Sequence, residues 1–122
     1  MPTCRATVLV VDDEPIIRMN AVDMLYDAGF EPIEAANAAE ALEMLGEHPE
    51  VTVLFTDINM PGEMDGLDLA RNVNALRPDV HLIFTSVKVR PGVGELPKSG
   101  RFLEKPYQER TFIALVEAAC AH

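Results

Sequence analysis

The chain has 122 residues, of which 48% are hydrophobic, so it can bury one core of ordinary size but has no room for a second domain. Its 20 acidic residues outnumber its 10 lysines and arginines, and the formal net charge of −10 opposes binding along a nucleic-acid backbone. Cys4 and Cys120 lack metal-ligand spacing, so we expect free thiols. The sequence shows neither a signal-peptide pattern nor an apolar run near the ~20 residues of a membrane span, so we expect a cytoplasmic protein.

The first third of the chain predicts two strands separated by a helix. Residues 8–11 are continuously apolar, as in a strand that is buried on both faces. An apolar stripe at helical spacing over residues 17–28 predicts a helix that ends at Gly29. A weaker strand over residues 32–35 must lie at a sheet edge, because Pro32 has no N–H to donate to a neighbouring strand.

A second helix and a third strand follow. Asn37 precedes Glu40 by three residues, a spacing that resembles a capping box and predicts the start of a helix. The apolar stripe of this helix ends before Gly46. Residues 51–55 are again almost continuously apolar, which predicts a second strand buried on both faces.

The last part of the chain continues the alternation. A third helix is predicted over residues 65–76, with a stop at Pro78, and a buried strand follows over residues 81–85. Residues 101–103 predict a short fifth strand, and an apolar stripe over residues 112–119 predicts the last helix. Strands that alternate with helices in this way predict an open parallel sheet covered on both faces.

Polar residues with complementary chemistry follow the predicted strands. In an open parallel sheet the ligand site lies beyond the carboxyl ends of the strands, where this sequence has Asp12, Asp13, Asp57, Thr85 and Lys105. Three carboxylates at one edge repel each other, by ~4 kcal/mol for a pair ~4 Å apart at an effective dielectric of 20, so they indicate a bound cation. Hard oxygen ligands favour Mg²⁺. A carboxylate beside Mg²⁺ can attack phosphorus, while a lysine and a hydroxyl stabilise the phosphoryl oxygens, so the set predicts phosphoryl transfer.

Each of these residues also has a purely structural explanation. Asp12 or Asp13 could cap the helix that follows, and Asp57 could start a turn. Thr85 could bond its own backbone, and Lys105 could be a surface charge. The coincidence of complementary groups at four separate strand ends nevertheless favours one phosphoryl-transfer site.

These motifs resemble those of the receiver domains of two-component response regulators. The resemblance rests on residues 8–15 with the acidic pair, residues 56–62 around Asp57, residues 84–86, and Lys105-Pro106, and it covers essentially the whole chain. It implies an α/β fold of the flavodoxin-like (βα)5 type, with an open five-stranded parallel sheet in the order 2-1-3-4-5. We expect one receiver domain over residues 1–122, of the single-domain type without a DNA-binding output domain.

The resemblance also implies roles for individual residues and partners. It makes Asp57 the phosphoacceptor, Asp13 and Asp57 direct Mg²⁺ ligands together with the carbonyl of Asn59, Asp12 a ligand through water, and Thr85 and Lys105 the residues that hold the phosphoryl group. The phosphodonor would be a sensor histidine kinase or a histidine phosphotransfer protein, and the output an unidentified protein target. Such a domain catalyses only its own phosphorylation and dephosphorylation. The peptide bond between Lys105 and Pro106 is expected to be cis.

The output side of the domain departs from the commonest family pattern. Phe102 matches the aromatic switch position and, lacking a hydroxyl, would be driven inward by burial alone, although it could also be ordinary core packing. Prolines and glycines in residues 87–100 oppose a long helix, so we expect the fourth helix to be short or irregular and this segment to carry the signal. The loop over residues 60–66 looks one residue longer than usual.

Two other classes of function use a similar sheet or the same fold. A metal-dependent aspartyl phosphohydrolase would share the ligands, but such enzymes resemble D-x-D at the nucleophile, where this chain has Asn59. A binding module that works without phosphorylation would need only the fold. The complete set of site residues argues against this last alternative.

Overall fold

The computed structural model describes residues 6–58, 64–86 and 100–120. These residues form β1 (Thr7–Val11), α1 (Pro15–Asp27), β2 (Glu31–Ala35), α2 (Ala38–Glu47), β3 (Val51–Asp57), α3 (Gly66–Leu76), β4 (His81–Ser86), β5 (Gly100–Glu104) and α4 (Glu109–Cys120). All strand pairs are parallel, in the order β2-β1-β3-β4-β5. The predicted sheet and strand order are therefore confirmed. The expectations about Asn59, residues 60–63, residues 87–99, Cys4 and the Cys120 side chain fall outside the described residues.

The sheet separates two apolar cores, because successive strand side chains point to opposite faces. In β1, Val8 and Val10 join the core beneath α1 and α4, whereas Leu9 and Val11 join the core beneath α2 and α3. Both faces of β1 are thus buried, which is why its sequence is continuously apolar. The helices contribute small side chains such as Ala21, and larger ones at helical spacing, to these two cores.

The edge position of β2 agrees with its sequence. β2 pairs with β1 alone, and Glu31 and Glu34 are exposed. A proline is tolerated in such a strand because one side of its backbone has no neighbouring strand to bond. The prediction made from Pro32 is confirmed.

The helix ends differ in how well local sequence predicted them. Gly29 has φ +92°, a conformation that favours glycine, and it follows α1 as expected. At α2, Asn37 accepts from the Glu40 N–H at 2.8 Å, but the Glu40 carboxylate accepts from the N–H of Ala36, so the capping box is only half formed.

α2 continues through Gly46 to Glu47, past Leu45, the last residue of its apolar stripe. The His48 N–H donates to the Met44 carbonyl at 2.9 Å and closes the last turn. A glycine inside a helix costs only about 1 kcal/mol, and the buried Leu45 next to it stabilises the helical conformation. Within the described residues, no helix combines the length and the apolar character needed to cross a membrane.

Candidate phosphoryl-transfer site

Four of the predicted site residues continue rows of core residues on one face of the sheet. Each lies two positions beyond a buried residue of the core shared with α1 and α4, so the alternation of side chains carries it toward that face. The core residues are Val10, Phe55, Ile83 and Leu103, and the site residues two positions later are Asp12, Asp57, Thr85 and Lys105. The parallel sheet brings all four to its carboxyl edge.

Lys105 joins the ends of β1 and β3. Its Nζ donates to Asp57 Oδ2 at 2.8 Å and to Asp12 Oδ2 at 3.1 Å. The three side chains are only 8%, 10% and 5% exposed, respectively. Lys105 is therefore not a surface charge. Its peptide bond to Pro106 is cis, as expected from the resemblance.

The electrostatic surroundings keep this lysine charged. Burial alone would lower the Lys105 pKa, but the hydrogen bond to Asp57 and the negative charges of Asp12 and Asp57 outweigh it, so the pKa is raised. Tyr107 packs its ring against Phe55 and Phe112, and burial raises the pKa of its phenol to about 12. At neutral pH the site thus contains an ammonium group beside a neutral phenol.

The acidic residues form a cluster that suits a divalent cation. Carboxylate oxygens of Asp12, Asp13 and Asp57 all lie within 4.8 Å of one another, and Asp13 is the most exposed of the three. A cluster of carboxylate oxygens that is open to solvent on one side fits Mg²⁺, because this ion keeps several of its bound waters. The ammonium of Lys105 already occupies a position between two of these carboxylates, as expected where positive charge is favoured.

Helix capping does not explain the acidic pair. The N-cap of α1 is Glu14, and no side chain caps this helix. Asp12 Oδ1 instead accepts from the Glu14 N–H at 2.9 Å, which orders the turn between β1 and α1. The alternative in which Asp12 or Asp13 caps α1 is therefore wrong.

The Thr85 hydroxyl is buried, and its capacity to form hydrogen bonds is unused in the described part of the chain. Thr85 pairs with Asp57 across β3 and β4, and its side-chain oxygen has no hydrogen-bond partner among the described residues. Burying a hydroxyl without a hydrogen-bond partner costs about 1–3 kcal/mol of folding free energy. A hydroxyl at this place therefore suggests a ligand that accepts its hydrogen bond. The alternative in which Thr85 bonds its own backbone is wrong.

Phe102 lies on β5 beside Phe84 of β4 and is partly buried against the core of α2 and α3. Its neighbour Leu103 pairs with Thr85 and faces the opposite core. The aromatic side chain is therefore one strand away from the site, on the other face of the sheet. This position suits both a packing role and a switch role.

Gly66 supports the site in a way that sequence reasoning missed. Its N–H donates to the Ile58 carbonyl at 3.0 Å, and α3 begins directly against the backbone that follows β3. A Cβ at this position would contact the carbonyl oxygen of Asp57 and would lie 2.8 Å from Ile58 Cα. The only sequence signal was a glycine immediately after the N-cap residue Asp65.

Gly66→Ala is expected to destabilise the fold by about 1–3 kcal/mol, because the added methyl group forces α3 away from the Asp57 backbone. Gly46→Ala is the matched control: it lies inside α2 with nothing within 4 Å of an added Cβ. That change should stabilise the protein by about 0.5–1 kcal/mol. Urea unfolding of both variants measures the difference, and equal effects would contradict the proposed contact.

Comparisons with known proteins agree along most of the chain. The family model described as "Response regulator receiver domain" matches residues 8–117. The chain is 37% identical over 116 residues to the sensor kinase CckA of Brucella abortus (strain 2308), covering 92% of this chain but 12% of CckA. It is 33% identical over 114 residues to the response regulator receiver protein CpdR of the same organism, covering 90% of this chain and 92% of CpdR. A crystal structure of a response regulator receiver domain protein from Clostridium thermocellum shares the fold, with a TM-score of 0.88 at 24% identity and coverage of 95% and 94%.

Proposed function

Because the chain belongs to the response regulator receiver domain family, we propose that it signals by accepting a phosphoryl group on Asp57 in the presence of Mg²⁺. The observation that carries this assignment is the contact of Lys105 with Asp57 and Asp12 next to the unpartnered hydroxyl of Thr85. A carboxylate, an ammonium group and a hydroxyl therefore lie together at one edge of the sheet, which supports the proposal. The phosphodonor would be a sensor histidine kinase or a histidine phosphotransfer protein in the cytoplasm.

The transfer itself needs little beyond positioning and charge. An Asp57 carboxylate oxygen bonds to phosphorus as the bond from phosphorus to the donor breaks, and the donor leaves with the electron pair. Lys105 and Thr85 stabilise the phosphoryl oxygens, whose negative charge the buried carboxylates would otherwise repel. Bound Mg²⁺ would polarise those oxygens and offset the acidic cluster. Its proposed ligands are Asp13, Asp57 and the Asn59 carbonyl, with Asp12 acting through water.

The signal would leave the site through Thr85. Once Asp57 carries a phosphoryl group, the Thr85 hydroxyl has an acceptor that the unmodified site does not supply, so its position shifts toward Asp57. Phe102 lies on the other face of the sheet, so this shift would reach it through Phe84 of β4, with which it pairs, and would let it become more buried. The target protein would then contact residues 87–99, β5 and α4.

Incubation with a small acyl phosphate and Mg²⁺ tests the proposal against both alternatives. Stable labelling of one equivalent per chain is the expected result for a phosphoacceptor. Turnover of many phosphorylated substrates would identify an aspartyl phosphohydrolase instead. No reaction at all would favour a binding module that works without phosphorylation.

Asp13→Ala is expected to remove the stabilisation of the fold by Mg²⁺. Wild-type protein should gain about 1.4 kcal/mol at a Mg²⁺ concentration ten times the dissociation constant, because the ion binds only the folded state. Asp23→Ala removes an equal charge from an exposed position of α1 and serves as the control. Melting curves with and without Mg²⁺ compare the three proteins. An Asp13→Ala variant that responds like wild type would refute the ligand set.

A further inference from the structure

Arg18 links the acidic pair to the edge strand β2. Its Nη1 donates to the carbonyl oxygen of Asp12 at 2.7 Å, and its Nε donates to Glu34 Oε1 at 3.0 Å. The Arg18 side chain is 18% exposed and that of Glu34 is 51% exposed, so the contact to Asp12 is the inner one. We infer that Arg18 is a positioning residue that holds the Asp12–Asp13 peptide and thereby aims the Asp13 carboxylate at the cation site. The inference rests on the metal site of the proposed function.

The carbonyl that Arg18 binds lies just beyond the sheet. β1 ends at Val11, although the Asp12 N–H still donates to the Ala35 carbonyl at 3.2 Å. The Asp12 carbonyl belongs to the peptide that leads to Asp13. Because a peptide is planar, fixing the direction of this carbonyl also fixes the direction in which the chain continues to Asp13.

The Asp12 side chain has two contacts of its own that do not involve Arg18. Its Oδ1 accepts from the Glu14 N–H at 2.9 Å, and its Oδ2 accepts from Lys105 Nζ at 3.1 Å. Asp13 is more exposed than Asp12 and Asp57, so packing constrains it less. Its orientation therefore depends on the backbone that Arg18 holds, and loss of Arg18 should affect Asp13 more than Asp12.

Charge and positioning predict opposite effects on Mg²⁺ binding. Arg18 is a cation close to the acidic cluster, so its removal makes the site more negative and, by charge alone, tightens Mg²⁺ binding. Loss of positioning weakens binding, because residues that orient metal ligands are typically worth ~10–100-fold in affinity. The direction of the change thus separates the two roles without any assumption about its size.

The test measures the Mg²⁺ dissociation constant of the purified chain by thermal-shift titration. Arg18→Met is expected to raise the dissociation constant at least ~10-fold. Arg18→Lys should also raise it, because one ammonium group cannot replace a planar fork that spans two acceptors. The control Arg110→Met removes the same charge from an exposed position of α4 and should bind Mg²⁺ at least as tightly as wild type. Unchanged or tighter binding by Arg18→Met, wild-type affinity in Arg18→Lys, or equal weakening in the control would each overturn the inference.

The contact between Arg18 and Glu34 provides a second pair of variants in case Arg18→Met does not fold. Glu34→Met and Glu34→Gln remove the same charge, but the glutamine keeps an oxygen that can accept from Arg18. Mg²⁺ should bind more weakly to Glu34→Met than to Glu34→Gln. Equal dissociation constants in this pair would contradict a positioning role.

A measurement without metal separates this inference from the proposed function. In EDTA, amide hydrogen exchange at Glu14, whose N–H donates to Asp12 Oδ1, should be faster in Arg18→Met, and in Glu34→Met, than in wild type, because the turn is no longer held. Unchanged exchange would overturn the inference even if Mg²⁺ affinity fell. A wild-type protein that bound no Mg²⁺ would instead defeat the metal site of the proposed function, while the exchange rates would still decide the role of Arg18.

Discussion

Asp57→Asn is expected to abolish Mg²⁺-dependent labelling by a small acyl phosphate. The amide has nearly the same shape as the carboxylate but offers no anionic oxygen to bond to phosphorus. Asp57 is the acidic residue at the end of the central strand β3, and it lies opposite Thr85 and within 2.8 Å of Lys105 Nζ. Labelling should therefore fall below detection while the fold persists. Intact-mass spectrometry and thermal melting measure the two quantities.

Asp12→Asn is the matched control for this experiment. It changes a buried carboxylate that contacts the same lysine, at 3.1 Å, without removing the proposed acceptor. We expect slower labelling that still maps to Asp57 by peptide mass spectrometry. A phosphoryl group found on Asp12, Asp13 or a histidine in the wild-type protein would show that the acceptor has been misassigned.

Lys105→Met is expected to slow labelling about 10²–10³-fold at saturating Mg²⁺. Methionine keeps an unbranched chain of similar length but supplies no cation for the phosphoryl oxygens, and loss of one such stabilising group typically costs this factor. Because Asp57 and Asp12 raise the pKa of Lys105, its side chain is charged throughout the neutral range. The slower labelling should therefore appear at any pH near 7. Rates from single-turnover labelling measure the change.

Mg²⁺ affinity provides the internal control for Lys105→Met. Removing a cation that contacts Asp12 and Asp57 leaves the cluster more negative, so the dissociation constant for Mg²⁺ should stay the same or decrease. Weaker Mg²⁺ binding, together with a large loss of thermal stability, would mean that Lys105 mainly holds the site together. Wild-type labelling rates in this variant would refute its proposed role in the transfer.

The fold and the position of the site were largely predictable from the sequence. Continuous apolar runs marked β1, β3 and β4, because strands buried on both faces have no polar side to display. The residues directly after these runs had to meet at one edge, because carboxyl ends of parallel strands lie together. Helix ends were less predictable: α2 passes through Gly46 because packing of the buried Leu45 outweighs a local preference.

The sequence by itself determined which chemical groups reach the carboxyl edge of the sheet, since the alternation along each strand fixes both the end and the face. Only the tertiary structure decided which of those groups touch. The bridge from Lys105 to Asp12 joins residues 93 positions apart, and the hold of Arg18 on Asp12 and Glu34 spans a helix and an edge strand. The fit of Gly66 against the Asp57 backbone likewise depends on how closely α3 approaches β3. Such contacts depend on how closely separate elements approach each other, which no periodicity within one element encodes.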